Sequence, residues 1–587
     1  RFDGVFNFPV VPDLAGKISI GLERGGKTIV KNLYDGRDEG EIDRMETSVS
    51  LLWNRNNWRA RYTWDKVSDD SDVPPRLNLS SSTDLLCSRA IDPHCSVDGE
   101  GLKPETDVFE LNGQNFPNTR RYDVDQHALH LDFTWGEREI SSITAYRSSE
   151  DRSSQDLDAT WADFYSTRAS NDYSQFTQEL VLRNASDARL HYQTGAFFLS
   201  SEYDLNRNEL YVLPALTAAG TVSASNYATQ ETTTHQSHRL GSLFAQAEYT
   251  IDEQWKMDGG LRANFVTTKF QHLTSVQDPA ANTVAGTGVL VDRSNSASEL
   301  TGSVGFTYKV DDDAMIYMRY ARAFRPGGYD DTARSAGTAG PFSAENTTQV
   351  ELGLKSEWYD DRLRVNAVTY YNNYRDKLER YATLTGSAVQ SILSNVAEIK
   401  VFGHEFEVLA LPMERLLLRA AWSHVNTDYI EYKIPSLADP TTETDKEALI
   451  PAFQSPNMLA LSATYTFPYE APAWVPEPLA SGTVSLYAGY RFTTEYWTNP
   501  EFASGRVDNG TQLDFGVTYR IPAWQFRLYG RNLHDNRYLT NVTGLTDAAT
   551  TPLPASTTSV QNLLTTAEVS SPRFVGLEIS YTPTFGR

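Results

Sequence analysis

The sequence predicts an all-β protein built as an antiparallel β-barrel that crosses a membrane. Three observations lead to this prediction: apolar and polar residues alternate along most of the chain, the alternating segments are long, and tight turns alternate with long polar loops. Alternation at every second residue is the pattern of a β-strand with one apolar face, whereas a helix repeats after about 3.6 residues. The sequence also lacks any run of the roughly 20 apolar residues that a membrane-spanning helix requires.

The alternation is clearest near the end of the chain, where Val575, Leu577 and Ile579 fall on one face of a strand and Gly576 and Glu578 on the other. Similar segments recur throughout and run for about 9 to 15 residues, longer than the mode of about 5 to 6 for globular strands and long enough to cross a bilayer at a tilt. Aromatic side chains gather at segment ends, as in the girdles at membrane interfaces. These girdle candidates are Trp53, Trp58, Trp64, Trp135, Trp255, Trp358 and Tyr581.

The connections between segments alternate between two kinds. Tight turns, such as those at Asn56 and Gly136, are followed by long polar loops, of which the longest span 66–120, 204–236 and 540–571. Short turns at one end and long loops at the other are typical of outer-membrane barrels. Such a sheet must close on itself, because an open edge in lipid leaves backbone groups unpaired.

The segments add up to about 21 strands, an odd number where bacterial single-chain barrels have an even one. The chain opens inside a strand, Phe2 to Phe8, which turns at Pro9 to Asp13 and returns from Ala15. We therefore expect residues 1–587 to form one barrel domain whose missing strand lies before residue 1. A soluble propeller or β-solenoid is the alternative, but the sequence has no fixed repeat and no blade signature.

Composition excludes some partners and indicates a compartment. The net charge of -24 repels phosphate backbones, and no basic patch compensates for it, so nucleic-acid binding is excluded. The chain has two cysteines, Cys87 and Cys95, in a polar stretch where their spacing suits a loop-closing disulfide formed in an oxidising compartment. Two free thiols are the alternative interpretation.

Several segments resemble the barrel of TonB-dependent outer-membrane receptors, and together they cover almost the whole chain. The most specific are ELGLKSEW at 351–358 and GRNLHDNRY at 530–538, supported by RAFRPGGYD at 322–330 and NVAEIKVFGHEFEV at 395–408. The resemblance implies a barrel of about 22 strands whose lumen is occluded by an N-terminal plug. It also implies uptake of scarce ligands with energy passed from the inner membrane through TonB.

The chain departs from the family pattern at its start. No TonB-box-like leader and no segment resembling the plug precedes the barrel, so we expect the plug domain, with the first strand, to be absent from this chain. At the other end, Phe585 resembles the terminal aromatic residue that the family presents to the barrel-assembly machinery, although Gly586 and Arg587 follow it.

The sequence carries no recognisable enzyme motif, so we predict neither catalysis nor a cofactor nor a metal centre. Acidic loop segments such as 69–72 could hold Ca²⁺, but solvated loop charge is the favoured interpretation. Histidines three residues apart on a strand lie on opposite faces and cannot chelate a metal together. These pairs are His127 with His130, and His235 with His238.

Two groups of residues are candidates for ligand binding. The first consists of aromatic side chains in the polar loop after the strand at Ile143, a loop that the resemblance places outside the cell: Trp161, Phe164 and Tyr165. Packing of the loop against itself is the alternative. The second consists of arginines that could line the lumen or mouth and attract an anionic chelate: Arg319, Arg322 and Arg325. Inward charge is also ordinary in a polar lumen.

The leading functional hypothesis is therefore the barrel of a receptor in the outer membrane of a Gram-negative bacterium. The RPGGY stretch resembles siderophore receptors, which makes a ferric siderophore the expected ligand, while cobalamin, haem and oligosaccharides stay open. The expected partners are the bilayer, lipopolysaccharide and, through a plug, TonB. A passive pore without a plug is one alternative, and a barrel that anchors a surface layer or a partner protein is another.

Overall fold

Strands form almost all of the regular structure. Within the described part of the chain the one helix is the short segment Leu85–Ser88. No helix there is long and apolar enough to span a membrane. The computed structural model describes residues 1–25, 30–82, 84–88, 111–184, 189–212, 227–278, 283–284, 289–333, 335–385, 388–436, 441–470, 472, 474–476, 480–498, 505–546 and 562–583.

One sheet of 23 strands forms the wall, and 21 of these strands are long and pair antiparallel with the next in chain order. The other two, Thr283–Val284 and Glu443–Asp445, extend the sheet into loops. The predicted all-β fold with about 21 strands is thus confirmed. The long strands are β1 Phe2–Val11, β2 Leu14–Arg24, β3 Asp43–Arg55, β4 Trp58–Asp69, β5 Thr119–Trp135, β6 Arg138–Asp156, β7 Tyr165–Asn184, β8 Leu190–Val212, β9 Tyr227–Thr250, β10 Trp255–Asp278, β11 Val289–Lys309, β12 Ala314–Arg325, β13 Glu345–Trp358, β14 Leu363–Thr385, β15 Ala388–Met413, β16 Leu416–Pro435, β17 Asn457–Glu470, β18 Ser481–Thr493, β19 Gly510–Arg520, β20 Trp524–Arg531 and β21 Phe574–Tyr581.

The two faces of the wall differ in chemistry, because cross-strand partners point to the same side of a sheet. Phe306 lies opposite Met318, which lies opposite Leu352, and these side chains are 43, 51 and 49% exposed. Their neighbours on the other face include Arg319 opposite Glu351. One face is therefore apolar and uncovered by the protein, and the other is polar and charged, as in a barrel with lipid outside and a polar lumen.

Tight turns close one end of the wall. Arg55 pairs with Trp58 across a two-residue turn that Asn56 enters with a φ of 52°, and Gly136 adopts a φ of 59° between β5 and β6. Asn and Gly tolerate this left-handed conformation, which matches the twist of hairpin strands. Both turns lie where the sequence predicts them.

Long loops at the opposite end contain part of the buried core of the described chain, and the outer ends of long strands supply the rest, for example Ile399 and Tyr429. The loops add three small sheets: Val30–Asn32 with Asp38–Glu39 and Leu111–Asn112; Arg76–Asn78 with Asn562–Val569 and Leu539–Thr546; and Tyr496–Trp497 with Arg506–Val507. Apolar residues in these loops are almost completely buried, among them Leu77, Leu86, Phe164, Val507 and Val542. The loops therefore fold on one another instead of extending into solvent.

The wall sheet has two edges. Among the described residues, β1 pairs only with β2, and β21 pairs only with β20. Because successive strands reverse direction, these two edge strands run the same way. The antiparallel strand that the sequence analysis expects before residue 1 stays a prediction.

Candidate functional site: the outer mouth and the lumen wall

The first predicted ligand-binding group lies at the turn between β6 and β7, with Tyr165 as the first residue of β7. Asp158 organises this loop, since its Oδ2 accepts the backbone N–H groups of Phe164 at 3.1 Å and Tyr165 at 2.6 Å. Its Oδ1 accepts both the N–H and the hydroxyl of Thr160, at 2.9 and 2.6 Å. The Asp158 carboxylate thus accepts backbone N–H groups that would have a partner in a β-sheet but have none in this turn.

The three aromatic residues differ in how far this turn buries them. Phe164 is 2% exposed, so its ring packs inside the loop. Trp161 and Tyr165 remain partly exposed, and the Tyr165 hydroxyl donates to Glu209 Oε1 at 3.4 Å. Loop packing accounts for Phe164 in this conformation, while ligand contact by Trp161 and Tyr165 stays a prediction.

A second buried carboxylate, Asp156, sits at the end of β6 beyond the apolar band. Its oxygens accept four backbone N–H groups, from Asn115, Phe116, Asp158 and Ala159, at 2.8 to 3.2 Å. Burial raises the pKa of Asp156 to about 7, although the four N–H donors act in the opposite direction. Burial and the neighbouring Asp156 charge also raise the pKa of Asp158.

Buried amide side chains continue this network across the mouth. Glu39, which is 6% exposed, accepts from Asn32 Nδ2 at 3.0 Å and from Asn112 Nδ2 at 2.9 Å. Gln114 Oε1 accepts from Asn112 and Asn118, both at 2.6 Å. Burial is the main reason that the pKa of Glu39 is raised, against the two amide donors. The sequence analysis missed this cluster, because its members come from two separate loops.

The loop between β12 and β13, residues 326–344, folds onto the polar face of the wall. The ring of Tyr329 stacks on Phe270 with centroids 4.8 Å apart, and Phe270 stacks on His272 at 5.5 Å. His272 Nε2 donates to the carbonyl oxygen of Ala333 at 2.9 Å. The RPGGY motif thus delivers an aromatic side chain to the wall of β10.

An ion pair anchors the same loop. Arg380 on β14 donates to both carboxylate oxygens of Asp330, at 3.0 and 3.1 Å, and Asp330 is 2% exposed. Burial tends to raise the pKa of Asp330, but hydrogen bonds from Arg380 and Thr332 outweigh it and lower that pKa. Asp330 therefore stays ionised and holds the loop against the wall.

The predicted arginine group lies near this loop, and each member has a polar partner. Arg322 and Arg325 each form an ion pair with a carboxylate, so their charge is largely compensated within the protein. The contacts are Arg319 to Ser303 Oγ at 3.0 Å, Arg322 to Glu299 Oε2 at 3.2 Å and to Asn346 Oδ1 at 3.1 Å, and Arg325 to Glu345 Oε2 at 3.1 Å. Recruitment of an anion by these residues stays a prediction.

A concavity of about 390 Å³ lies on the polar face of β14 to β19. Small side chains such as Ala421, Ala460 and Gly489 leave the space, and charged side chains surround it. Three of these charges make no hydrogen bond or ion pair with any described residue: Glu407, Arg419 and Arg491. Unpaired charge of both signs makes this part of the lumen suited to a polar occupant or to water.

The remaining predicted sites are only partly covered by the structure. Cys87 is disulfide-bonded, but Cys95 lies outside the described residues, so their pairing stays a prediction. Phe585 also lies outside them. In the described part of the chain, no three His, Cys, Asp or Glu side chains are grouped as metal ligands.

Comparison with known proteins decides the family. A family described as TonB dependent receptor-like, beta-barrel, matches residues 32–533. The chain belongs to this family. The resemblance and the barrel type inferred from the sequence are thereby confirmed. TonB-dependent receptor barrels are outer-membrane proteins of Gram-negative bacteria, and the family and its structural neighbours are receptors and transporters, not enzymes.

Individual relatives of this TonB-dependent barrel are distant. The pesticin receptor of Yersinia pestis is 26% identical over 242 residues, which are 40% of this chain and 31% of that protein. The ferric-pyoverdine M114 receptor PbuA of Pseudomonas sp. strain M114 is 25% identical over 262 residues, 44% of this chain and 29% of that protein. The matched regions thus span less than a third of each relative.

Solved structures agree over almost the whole chain. The ferric yersiniabactin uptake receptor FyuA from Yersinia pestis superposes with a TM-score of 0.74 at 15% identity, covering 99% of this chain and 77% of that one. The siderophore receptor PiuA from Acinetobacter baumannii gives 0.65 at 14% identity, covering 98 and 79%. At such identities the comparison shows a shared fold.

Proposed function

We propose that this chain is the barrel of a receptor that imports a ferric siderophore across the outer membrane with energy supplied through TonB. The observation that carries the proposal is the family match over residues 32–533. Relatives named as receptors for ferric pyoverdine and ferric yersiniabactin support an iron chelate as the ligand class. The outer mouth, with its folded loops and partly exposed Trp161 and Tyr165, supplies a surface for such a ligand.

The lumen favours the same proposal. Glu407, Arg419 and Arg491 face the concavity without protein partners among the described residues. The family resemblance leads us to expect a plug domain in the lumen. Complementary charges on such a plug would pair with these three side chains. TonB would act through that plug, as the family resemblance implies.

Uptake measurements test the proposal. The full natural reading frame that contains residues 1–587 is expressed in cells with and without TonB, and ⁵⁵Fe uptake is followed from ferric yersiniabactin and ferric pyoverdine. We expect uptake of at least one chelate that disappears without TonB or with a protonophore. Uptake that continues without TonB would contradict the energised mechanism, and cells lacking the receptor provide the background.

A passive pore is the second candidate, favoured by the uncompensated lumen charge of the described wall. A barrel of about 22 strands has a wide lumen, so an unplugged one conducts strongly. Planar-bilayer recording of the natural protein distinguishes the two. Large steady conductance supports the pore, and electrical silence supports the plugged receptor.

A further inference from the structure

Two basic side chains lie next to each other on the lipid-facing side of β9 and β10. Leu243 on β9 and Phe265 on β10 belong to the apolar face and are 62 and 56% exposed. Arg239 lies four residues from Leu243, and Lys269 lies four residues from Phe265, so each shares the face of its apolar neighbour. Both basic side chains are exposed. They therefore project outward from the wall, away from the lumen.

Burial along β10 supports this assignment. The residues that alternate with the outward ones are at most 4% exposed, and the loop of residues 326–344 covers this side of the strand. Lys269 lies between two of these buried residues in the chain and is nevertheless exposed. The sheet thus separates Lys269 from the lumen side. The buried residues are Val266, Thr268, Phe270, His272 and Thr274.

The two cations lie at the level expected for lipid headgroups. On β10, an uninterrupted run of outward apolar or small residues extends from Trp255, beside a tight turn, to Phe265, ten residues later. At about 3.3 Å per residue and a tilt of about 40°, ten residues rise about 25 Å, the height of the apolar band of an outer-membrane barrel. Arg239 pairs with Thr267, the next outward position. Lys269 lies about 5 Å higher, on the side of the long loops.

Hydroxyl side chains flank each cation across the sheet. Arg239 and Lys269 are diagonal neighbours, a backbone separation of about 7 to 8 Å that long side chains can bridge. Small hydroxyl residues beside them leave room for a ligand and can donate to its oxygens. The flanking residues are Ser200 and Thr267 for Arg239, and Ser237 and Ser294 for Lys269.

Neither cation is neutralised by a protein partner. Within the part of the chain that the structure describes, Arg239 and Lys269 form no hydrogen bond and no ion pair. The adjacent acidic positions on this face, Glu202 and Asp292, lie diagonal to the cations and not opposite them. Asp292 instead accepts from Gln271 Nε2 at 3.3 Å. Two positive charges are thus available to a negatively charged group outside the protein.

We propose that Arg239 and Lys269 bind a phosphate group of lipopolysaccharide in the outer leaflet of the membrane. The planar guanidinium of Arg239 can hold two phosphate oxygens, and Lys269 adds a second positive charge. Below the cations, Leu243, Leu261 and Phe265 offer an apolar surface to the acyl chains of the same lipid. The site therefore matches both parts of the lipid. The inference rests on the outer-membrane placement of the barrel, not on its cargo, so iron uptake and lipid binding can fail separately.

Lipid binding to the protein expressed from its full natural reading frame tests the site. Native mass spectrometry in detergent compares three probes: lipid A with two phosphates, lipid A after enzymatic removal of its phosphates, and phosphatidylglycerol. The unchanged protein is expected to prefer diphosphorylated lipid A. Arg239→Gln and Lys269→Gln should each lower its affinity about fivefold, the effect of one basic side chain at an anionic membrane surface. The double variant should lose the preference for phosphate.

The matched control is the double variant Lys17→Gln with Arg59→Gln, which removes one lysine and one arginine from the polar face of β2 and β4. It should bind diphosphorylated lipid A like the unchanged protein. Lys269→Arg keeps the charge and should keep the affinity.

Three results would overturn the proposal. The first is equal affinity of the unchanged protein and the variant without Arg239 and Lys269. The second is an equal loss for phosphate-free lipid A, which would indicate an apolar contact. The third is phosphatidylglycerol bound as tightly as lipid A, which would indicate a surface for any anionic lipid. The comparison of the three probes on the unchanged protein needs no variant, so it decides the matter even if a substitution prevents folding.

Discussion

At the scale of single residues, two carboxylates determine the conformation of the outer loops. Asp156 and Asp158 are both completely buried, and each accepts four hydrogen bonds, all but one of them from backbone N–H groups. Such donors are the groups that a loop leaves unpaired when it has no ladder. Burial removes water from both carboxylates, and this loss of solvation raises the pKa of both residues.

The raised pKa of Asp156 predicts a pH-dependent loop. A carboxyl group with a raised pKa binds its proton more tightly in the folded than in the unfolded chain, so its contribution to stability is present at low pH and is lost as the pH rises through about 7. We expect amide exchange in residues 156–165, corrected for its intrinsic rate, to be faster at pH 8 than at pH 6. Asp156→Asn removes one titrating group and should reduce this difference.

The control for this prediction is Asp361→Asn, which makes the same chemical change in an exposed turn at the opposite end of the wall. Its pH profile for residues 156–165 should match that of the unchanged protein. A profile that is flat between pH 6 and 8 in the unchanged protein would show that Asp156 does not titrate in this range.

At the scale of elements, the loop of residues 326–344 is held by contacts with several wall strands, among them the hydrogen bonds of Tyr203 and Arg207 with Asp331. Its buried carboxylate Asp330 is paired with Arg380, its Tyr329 ring stacks on Phe270, and its Gly340 carbonyl accepts from Arg293. All three partners lie on the polar face of wall strands. The ion pair with Arg380 is the charged member of this set, so its loss should weaken the attachment of the loop most.

Removal of the ion pair is expected to release this loop. Arg380→Gln leaves Asp330 buried without its cation, and because Arg380 itself is 43% exposed the cost should be about 1 to 2 kcal/mol, less than for a fully buried pair. Hydrogen exchange in residues 328–342 measures the release. Arg375→Gln is the control, since Arg375 on the same strand lies 3.7 Å from Glu398 and is 70% exposed. Equal exchange in the two variants would show that the loop's other contacts hold it without the ion pair.

At the scale of the whole molecule, the alternation of faces sets the environment of each strand residue. Leu243 on β9 is on the apolar face and 62% exposed, because lipid and not protein covers it. Gln246, three residues further along, points to the lumen and pairs across the sheet with Gln193 and Gly260. The same substitution at these two positions therefore meets opposite surroundings.

Arginine substitutions test this assignment of faces. Leu243→Arg places a cation in the hydrocarbon layer, at a cost of roughly 2 to 4 kcal/mol near the midplane, whereas Gln246→Arg enters a polar lumen and should cost little. Refolding from urea into lipid vesicles measures the difference. Equal losses of stability at both positions would contradict the assignment of β9.

Prediction from sequence succeeded where the signal is local. Alternation gave the number of strands, and the turns at Asn56 and Gly136 followed from residue types that tolerate positive φ. The aromatic group around Phe164 was found as a cluster, but its burial depends on Asp158, whose role no neighbouring residue indicates. The sequence identified the candidate arginines, but it did not indicate that Glu299 and Glu345 pair with two of them.

The sequence by itself determined the wall of this protein. Residues two apart share one face of a strand, and every strand must turn an apolar face toward the lipid. The tertiary structure alone decided the mouth. Arg76 meets Glu568 and Asn78 meets the turn at Asp158 only after the sheet has curved enough to bring distant loops together. Contacts of that kind depend on the curvature of the wall, and no periodicity along the chain encodes them.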